Sequence, residues 1–446
     1  MTLEPFKYDL WDPKVKVLLR AYLRSSLTTF LLTLIPIWLA MPFYWGSLYN
    51  MDSRVHNLEA WVMTSSSSVS SNSTVSDLVV RGLLSLNSLP PNQHLTWSHL
   101  VDSPFSPQEA VLNERTWMAV QISNRGERDS IEIHYNTARN QNAVTSFILP
   151  LTTSPLNDIL RGHSDSEGTP LTFSHSDVRP FDSSAANATT FVGLIYVLIL
   201  SFIFVLRAFM PKQWLASKLS LRSYLLLRLM APVLYYFLVS WSFCLLSLPF
   251  KIPFSRFVSG GFLLYWSITW LAMIVMGGLM ELVASLVTPP YMSFFMVSFI
   301  VVNNAVSSWP FQLLHPFFQY GYAMPFYHLR QSFITIIFNT RSHLALNIGV
   351  LVAWLALVWS GLFLHTLLER KKELRKSSPP APQRPSPSPP PPPKPTTTQA
   401  PPSDHQALLR SEKSSLSTPS SSSEASSIHL EEPRRGAQID LERGGA

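Results

Sequence analysis

Between Leu282 and Leu329 the chain runs for 48 residues without a single Asp, Glu, Lys or Arg. A water-soluble domain has no need of so long an uncharged stretch rich in Phe, Leu and Val. A bilayer does, because a spanning helix takes roughly 20 apolar residues to cross about 30 Å of hydrocarbon. The same composition recurs elsewhere, and six candidate spans emerge at 25–45, 187–206, 229–250, 257–280, 286–308 and 344–368. Each is continuously apolar without dyad alternation, which predicts helices rather than barrel strands.

The layout is asymmetric: one span, a polar insert, then five crowded spans. The expected fold is an all-α transmembrane bundle of six helices, with an α+β extracytoplasmic domain inserted between helices 1 and 2. The segments are a cytoplasmic leader (1–24), helix 1 (25–45), the extracytoplasmic domain (46–186), the five-helix region (187–370) and a disordered Pro/Ser-rich cytoplasmic tail (371–446). The first span reads as an uncleaved signal anchor. Lys7, Lys14, Lys16, Arg20 and Arg24 precede it, and Met41-Pro42-Phe43-Tyr44-Trp45-Gly46 closes it without a small-x-small cleavage site.

Dividing the charge by segment gives the orientation. The insert 48–188 holds eight Arg, no Lys and fourteen acids, whereas the rest of the chain carries the excess that makes the total +7. Arg207, Lys212, Lys218, Arg222 and Arg228 stand together without an acid, and Arg370, Lys371, Lys372, Arg375 and Lys376 follow the last span. The positive-inside rule puts these clusters and both termini in the cytoplasm, with the insert outside or in the lumen; the plasma membrane is the expected location. Lys251, Arg256, Arg330 and Arg341 fall outside in this scheme. The basic balance concerns orientation and anionic lipid, not nucleic acid. The chain has one cysteine, Cys244, so no intrachain disulfide can form. The two glycosylation sequons, at Asn72 and Asn187, both lie in the insert.

Within the insert, 64–74 is Ser-rich and reads as a loop. Trp117, Ala119 and Gln121, then Ile131, Ile133 and Tyr135, alternate about Asn124-Arg125-Gly126 and predict a β-hairpin. Residues 140–161 read as a helix broken at Pro150 and Pro155. The segment 309–343 is aromatic (Phe311, Phe317, Phe318, Tyr320, Tyr322, Phe326, Tyr327) yet punctuated by Pro310, Pro316, Gly321 and Pro325. It suits re-entrant or interfacial helices on the outer face, or an ordinary amphipathic connector. In the tail, Arg384, Pro387 and Pro390 fit the spacing of an SH3 ligand.

Motifs of chemistry are missing. There is no P-loop, no G-x-G-x-x-G, no H-E-x-x-H, no C-x-x-C and no G-x-S-x-G, so neither an enzyme nor a cofactor is expected. His315, His328 and His343 read as interface residues. Polar groups inside or beside spans carry more weight, because burial in hydrocarbon is expensive unless they are paired or line a path. Glu281 is the only acid between Asp182 and Glu369. It is either a pathway group or, the favoured reading, a solvated residue at the cytoplasmic turn after the fourth span. Asn303 and Asn304 read as interhelical hydrogen-bonders; Tyr320, Tyr322, Arg330 and Arg341 are candidate pathway or headgroup contacts. Gly277-Gly278 and Gly260-Gly261 allow close helix approach.

Three segments resemble motifs of the fungal nitrosoguanidine-resistance membrane proteins: Met41–Tyr49, Tyr320-Gly321-Tyr322-Ala323-Met324-Pro325, and Asn339–Leu344 with Asn347–Leu351 behind it. That family is distantly similar to phage-infection-protein-like proteins and ABC-type-2 exporter permeases. The resemblance spans about 25–370 and implies toxicant resistance at a fungal membrane, with one span, an external domain and five more spans. It carries over no catalytic residue. The expected function is a permease-like role, by exporting toxic small molecules or by altering lipid distribution. The alternative is a non-transporting regulator or scaffold acting through the external domain and tail. Expected partners are membrane lipid, a small-molecule or lipid substrate, an SH3-type partner, and a nucleotide-binding subunit or a second copy of the chain.

Overall fold

The computed structural model describes residues 12–13, 16–65, 74–125, 128–161, 163, 171–287 and 291–377. Lys7, Trp11, Lys14, Asn72, most of the Ser-rich stretch, Gly126, the Pro289-Pro290 pair and the tail with Arg384, Pro387 and Pro390 lie outside the described residues.

The described chain is mostly helical, with several membrane-length helices and a small sheet domain. Helix α1 (Lys16–Leu48) leads into that domain and presents Val17, Leu27, Phe30, Leu31 and Trp38 outward, the exposed apolar surface that lipid covers. The domain holds strands β1 (Glu59–Thr64) and β2 (Thr96–Val101), joined across helix α2 (Thr74–Ser85). Helix α3 (Pro107–Leu112) then precedes β3 (Met118–Arg125) and β4 (Arg128–Tyr135); helix α4 (141–160) and β5 (Phe173–Asp177) complete it. The sheet order is β2-β1-β3-β4-β5, antiparallel only between β3 and β4. α3 opens with a capping box between Ser106 and Glu109 and a proline in its first turn.

The β3–β4 hairpin forms, but its core face differs from the alternation seen in the sequence. Ile131 and Ile133 lie across from Ile122 and Val120, and Tyr135 lies across from Met118. Met118, Val120 and Ile122 therefore join the main core, whereas Ala119 packs with Val111 and Met63 on the opposite face. A shift of one residue inverts a strand, and both faces of β3 are covered here. Helix α4 is also unbroken. A π-helical turn at Val144–Ile148 accommodates Pro150, and the helix continues through Pro155.

Five helices among the described residues are long and apolar enough to cross a membrane: α1, α5 (Ala188–Ala216), α6 (Leu221–Leu245), α7 (Gly261–Leu286) and α10 (Leu344–Ser377). Helix α8 (Met292–Ser307) is shorter, about 24 Å at 1.5 Å per residue. The central helix is α7, packed against α5, α6 and α10. A side chain on Gly277 would meet the Tyr236 ring of α6, and one on Gly278 would come within 2.8 Å of Val358 on α10. Close approach there requires glycine.

Several boundaries depart from the hydropathy reading, among them the start of α1 at Lys16 and the end of α5 at Ala216. α6 starts at Leu221 behind the Ser220 cap instead of near 229, and α7 runs past 280 to Leu286. Both extensions carry charged residues into the bundle, which a hydropathy window rejects unless their charges compensate each other.

The segment after α8 folds into a 3-10 stretch (Pro316–Ala323) and helix α9 (Pro325–Phe338), ended by Asn339 in the left-handed conformation at φ 55°. Most of α9 is buried, against α7, α8 and α10. The sheet-domain core continues into this region, since Val306, Leu313, Leu314 and Phe318 share a cluster with Val62, Leu83, Trp97 and Val120. Hydrogen bonds reinforce the seam: Asn57 Nδ2 to the Gln312 carbonyl (3.1 Å), Asn140 Nδ2 to the Ser308 carbonyl (3.3 Å) and Arg179 Nε to the Asn339 carbonyl (3.0 Å).

Candidate functional site

Two polar loci stand out. The first is inside the helix bundle. Glu281, 5% exposed on α7, receives Lys212 Nζ of α5 at 2.6 Å and Arg228 Nε of α6 at 2.9 Å. Arg228 also donates from Nη1 to Thr366 Oγ1 of α10 at 2.8 Å, and from Nη2 to Ser285 Oγ one turn along α7. Three membrane-length helices therefore meet at one carboxylate, and Arg228 links the fourth, α10, to it. The expectation of a solvated Glu281 at a turn is overturned. The helix continues because two cations compensate the acid, and each of those cations would be untenable in the bundle alone.

The basic cluster of 207–228 divides accordingly. Arg207, Lys218 and Arg222 are exposed, while Lys212 and Arg228 turn inward. Sequence reading missed Arg228, Lys212, Ser285 and Thr366, since their partner lies 53 or more positions away or on another helix. The one available signal was Glu281 itself, a solitary acid in a long acid-free stretch.

The second locus is a cavity of about 340 Å³ at the seam, lined by Glu114, Trp117, Arg139 and Asn140 of the sheet domain and, from the bundle, by Phe311, Tyr322, Tyr327, Arg330, His343 and Asn347 among others. Phe311 and Tyr322 pack with ring centroids 4.1 Å apart at a 36° tilt, and Tyr327 lies 4.9 Å from Phe311. Arg139 stacks its guanidinium 3.6 Å over Trp117 and donates to the Thr116 carbonyl at 3.0 Å. Burial lowers its pKa to about 10, partly offset by Glu114, so it remains a cation at neutral pH. Glu114 is directed at His343, 3.3 Å away. Arg330 lines the same cavity from α9 and is 9% exposed.

The remaining sequence candidates are scattered. Asn303 is buried, donates to the Phe299 carbonyl and accepts the Phe326 N–H, which ties α8 to the start of α9. Asn304 is half-buried, and its carbonyl receives Ser307 and Ser308. Tyr320 donates to the Val302 carbonyl at 3.0 Å and packs near Phe43 of α1. Tyr322 lines the seam cavity; Arg341 does not, being exposed and bonded to the Asn113 carbonyl at 2.6 Å. His328 is buried between Asn347 and the Tyr322 carbonyl instead of sitting at an interface. Asn187 is exposed directly before α5.

Several apolar helices of bilayer length, joined to a small sheet domain, define a multi-pass membrane protein. More specifically, the chain belongs to the family described as protein of unknown function (DUF3533), which matches residues 29–360. It is 26% identical over 376 residues to an uncharacterized endoplasmic reticulum membrane protein of Saccharomyces cerevisiae, covering 70% of this chain and 74% of the relative. No solved structure matches.

Proposed function

We propose that this chain is a six-crossing, permease-like membrane protein that supports resistance to toxic small molecules, by exporting them or by altering lipid distribution. The observation that carries the reading is the Glu281 node, where the buried carboxylate of α7 pairs with α5 and α6 and Arg228 extends the network to α10. A protein that only anchors a domain needs no such group in hydrocarbon, and intramembrane ion pairs commonly mark moving or conducting parts. Exchange of Lys212 or Arg228 partners offers a discrete switch between helix arrangements. The resemblance of 41–49, 320–325 and 339–351 to the nitrosoguanidine-resistance proteins points the same way.

Six crossings are supported by α8. Its start, around Tyr291 and Phe294, lies beside Arg20, Arg24 and Thr28 of α1, and its end reaches the sheet-domain core at Val306. It thus covers most of the distance that α1 covers, tilt or local thinning making up the rest. Both termini are then cytoplasmic and the sheet domain is exported. The plasma membrane is the location expected from the sequence, whereas the name of the yeast relative points to the endoplasmic reticulum. A fluorescent fusion imaged in cells separates the two.

The experiment is uptake of labelled amphiphiles and lipids into vesicles holding the full chain, with and without ATP and a proton gradient. Movement above protein-free vesicles under any of these conditions supports the permease. Absence under all of them refutes it and favours the regulator, which predicts that deleting 377–446 abolishes resistance while surface expression persists. An ATP requirement would imply a nucleotide-binding partner, for which Arg207, Lys218 and Arg222 are the exposed docking candidates.

A further inference from the structure

The seam cavity contains a buried cation, Arg330, that has no ion-pair partner among the described residues. Arg330 Nε has no hydrogen-bond partner among the described residues, although the residue is 9% exposed and lies within α9. Its neighbour in the lining, Arg139, is held by Trp117 and the Thr116 carbonyl, with Glu114 the one charge that partly compensates it. The single carboxylate of the lining, Glu114, faces His343 at the rim. Asn347, paired with His328, also keeps its amide nitrogen unpartnered beside the same space.

Desolvating a guanidinium without an anion is among the costlier arrangements a protein can hold. Water alone would satisfy its hydrogen bonds but not its charge. The surroundings also fit an amphiphile better than a bare ion. Trp117, Phe311, Tyr322 and Tyr327 supply flat apolar surface, and exposed Leu346 begins the outward face of a membrane helix. A volume of about 340 Å³ is at the lower end of the roughly 300–1,000 Å³ typical of small-molecule sites. It suits a headgroup whose chains leave along α10.

We propose that the seam cavity is a binding site for a phosphate-bearing ligand, with Arg330 as its principal anion contact and Arg139 as the second cation. A planar guanidinium engages two phosphate oxygens at once, which the unpaired Nε edge of Arg330 would supply. The source of the phosphate is a lipid headgroup or a free phosphate. The site stands whether or not the chain transports anything, because binding is read without movement across a membrane.

Isothermal titration of the full chain in uncharged detergent tests it, using dihexanoyl phosphatidic acid, dihexanoylglycerol and inorganic phosphate as probes. Saturable binding of the phosphatidic acid, with the uncharged glyceride weaker by roughly tenfold or more, is the expected result. Arg330→Gln should remove that difference by weakening the phosphatidic acid alone, and Arg330→Lys should retain part of it. Inorganic phosphate binding as tightly as the lipid assigns the site to free phosphate; binding that requires the chains assigns it to a headgroup. Equal affinity for charged and uncharged glycerides, no binding of either phosphate probe, or an unaltered Arg330→Gln overturns the proposal. Should Arg330→Gln fail to fold, the comparison of charged and uncharged probes on the unaltered chain still decides.

Discussion

Arg228 of α6 and Glu281 of α7 meet at 2.9 Å inside the bundle, both nearly inaccessible to solvent. The pair is expensive to form and more expensive to break, because removing one member strands the other in low dielectric. Glu281→Ala should therefore destabilise the folded chain by about 3–5 kcal/mol, leaving Lys212 and Arg228 facing each other. Glu281→Ala with Arg228→Met should recover much of that loss. Thermal unfolding of purified single and double variants measures the coupling; additive losses would mean that the two side chains do not interact.

The two glycines at the start of α7, Gly260 at its cap and Gly261 as its first residue, give a paired test of packing. A Cβ on Gly261 would run into the Phe254 carbonyl, a backbone atom that cannot rotate away, whereas none of the surroundings obstruct one on Gly260. Gly261→Ala should lower the unfolding temperature clearly, and Gly260→Ala should be tolerated. Equal effects would contradict the turn that joins α6 to α7.

The sheet domain should respond to pH through His134, which lies buried on β4. Burial lowers its pKa from the ordinary 6.5, and nearby Glu132 only partly opposes this. The unfolded chain then binds the proton more readily than the folded one. Stability attributable to His134 is complete above pH 6.5 and is lost as pH falls from there toward the folded-state value. The protection of amides in the described strands of 118–135, with intrinsic exchange divided out, should fall on acidification through this window, and His134→Gln should flatten the response.

At the seam, Asn140 caps α4 through the Ala143 N–H at 3.0 Å and reaches the Ser308 carbonyl with its amide. Asn140→Ala should cost about 1–2 kcal/mol from the cap. It should also increase proteolysis near 308–312. A loss confined to α4, with the seam still protected, would show that the sheet domain is docked by its apolar core alone.

How much of this was legible in the sequence follows the range of the forces involved. The membrane helices and the polar insert were legible, since hydropathy and charge segregation are local and additive. The hairpin was legible from its alternation, but its core face was not, because Met118, Val120 and Ile122 compete with equally apolar neighbours for a strand buried on both sides. Arg330 and Tyr322 were singled out for their position in an aromatic outer segment and do share a cavity. Its other half, Trp117 and Arg139, comes from the sheet domain, and no local pattern announces contact across roughly 200 positions. Glu281 was visible as an oddity and misplaced, because its two compensating cations read as a cytoplasmic cluster until folding turned them inward.

The most direct measurement of the central proposal is lipid and amphiphile movement in vesicles reconstituted with the full chain, comparing the unaltered protein with Glu281→Gln. The variant keeps the shape of the side chain and removes its charge, so a transport role for the node predicts clear movement by the first and a loss of roughly tenfold or more in the second. Retained binding of the phosphate probe at the seam would show that the variant is still folded. Movement no faster than in protein-free vesicles, or equal rates for both proteins, would contradict a permease switched at Glu281.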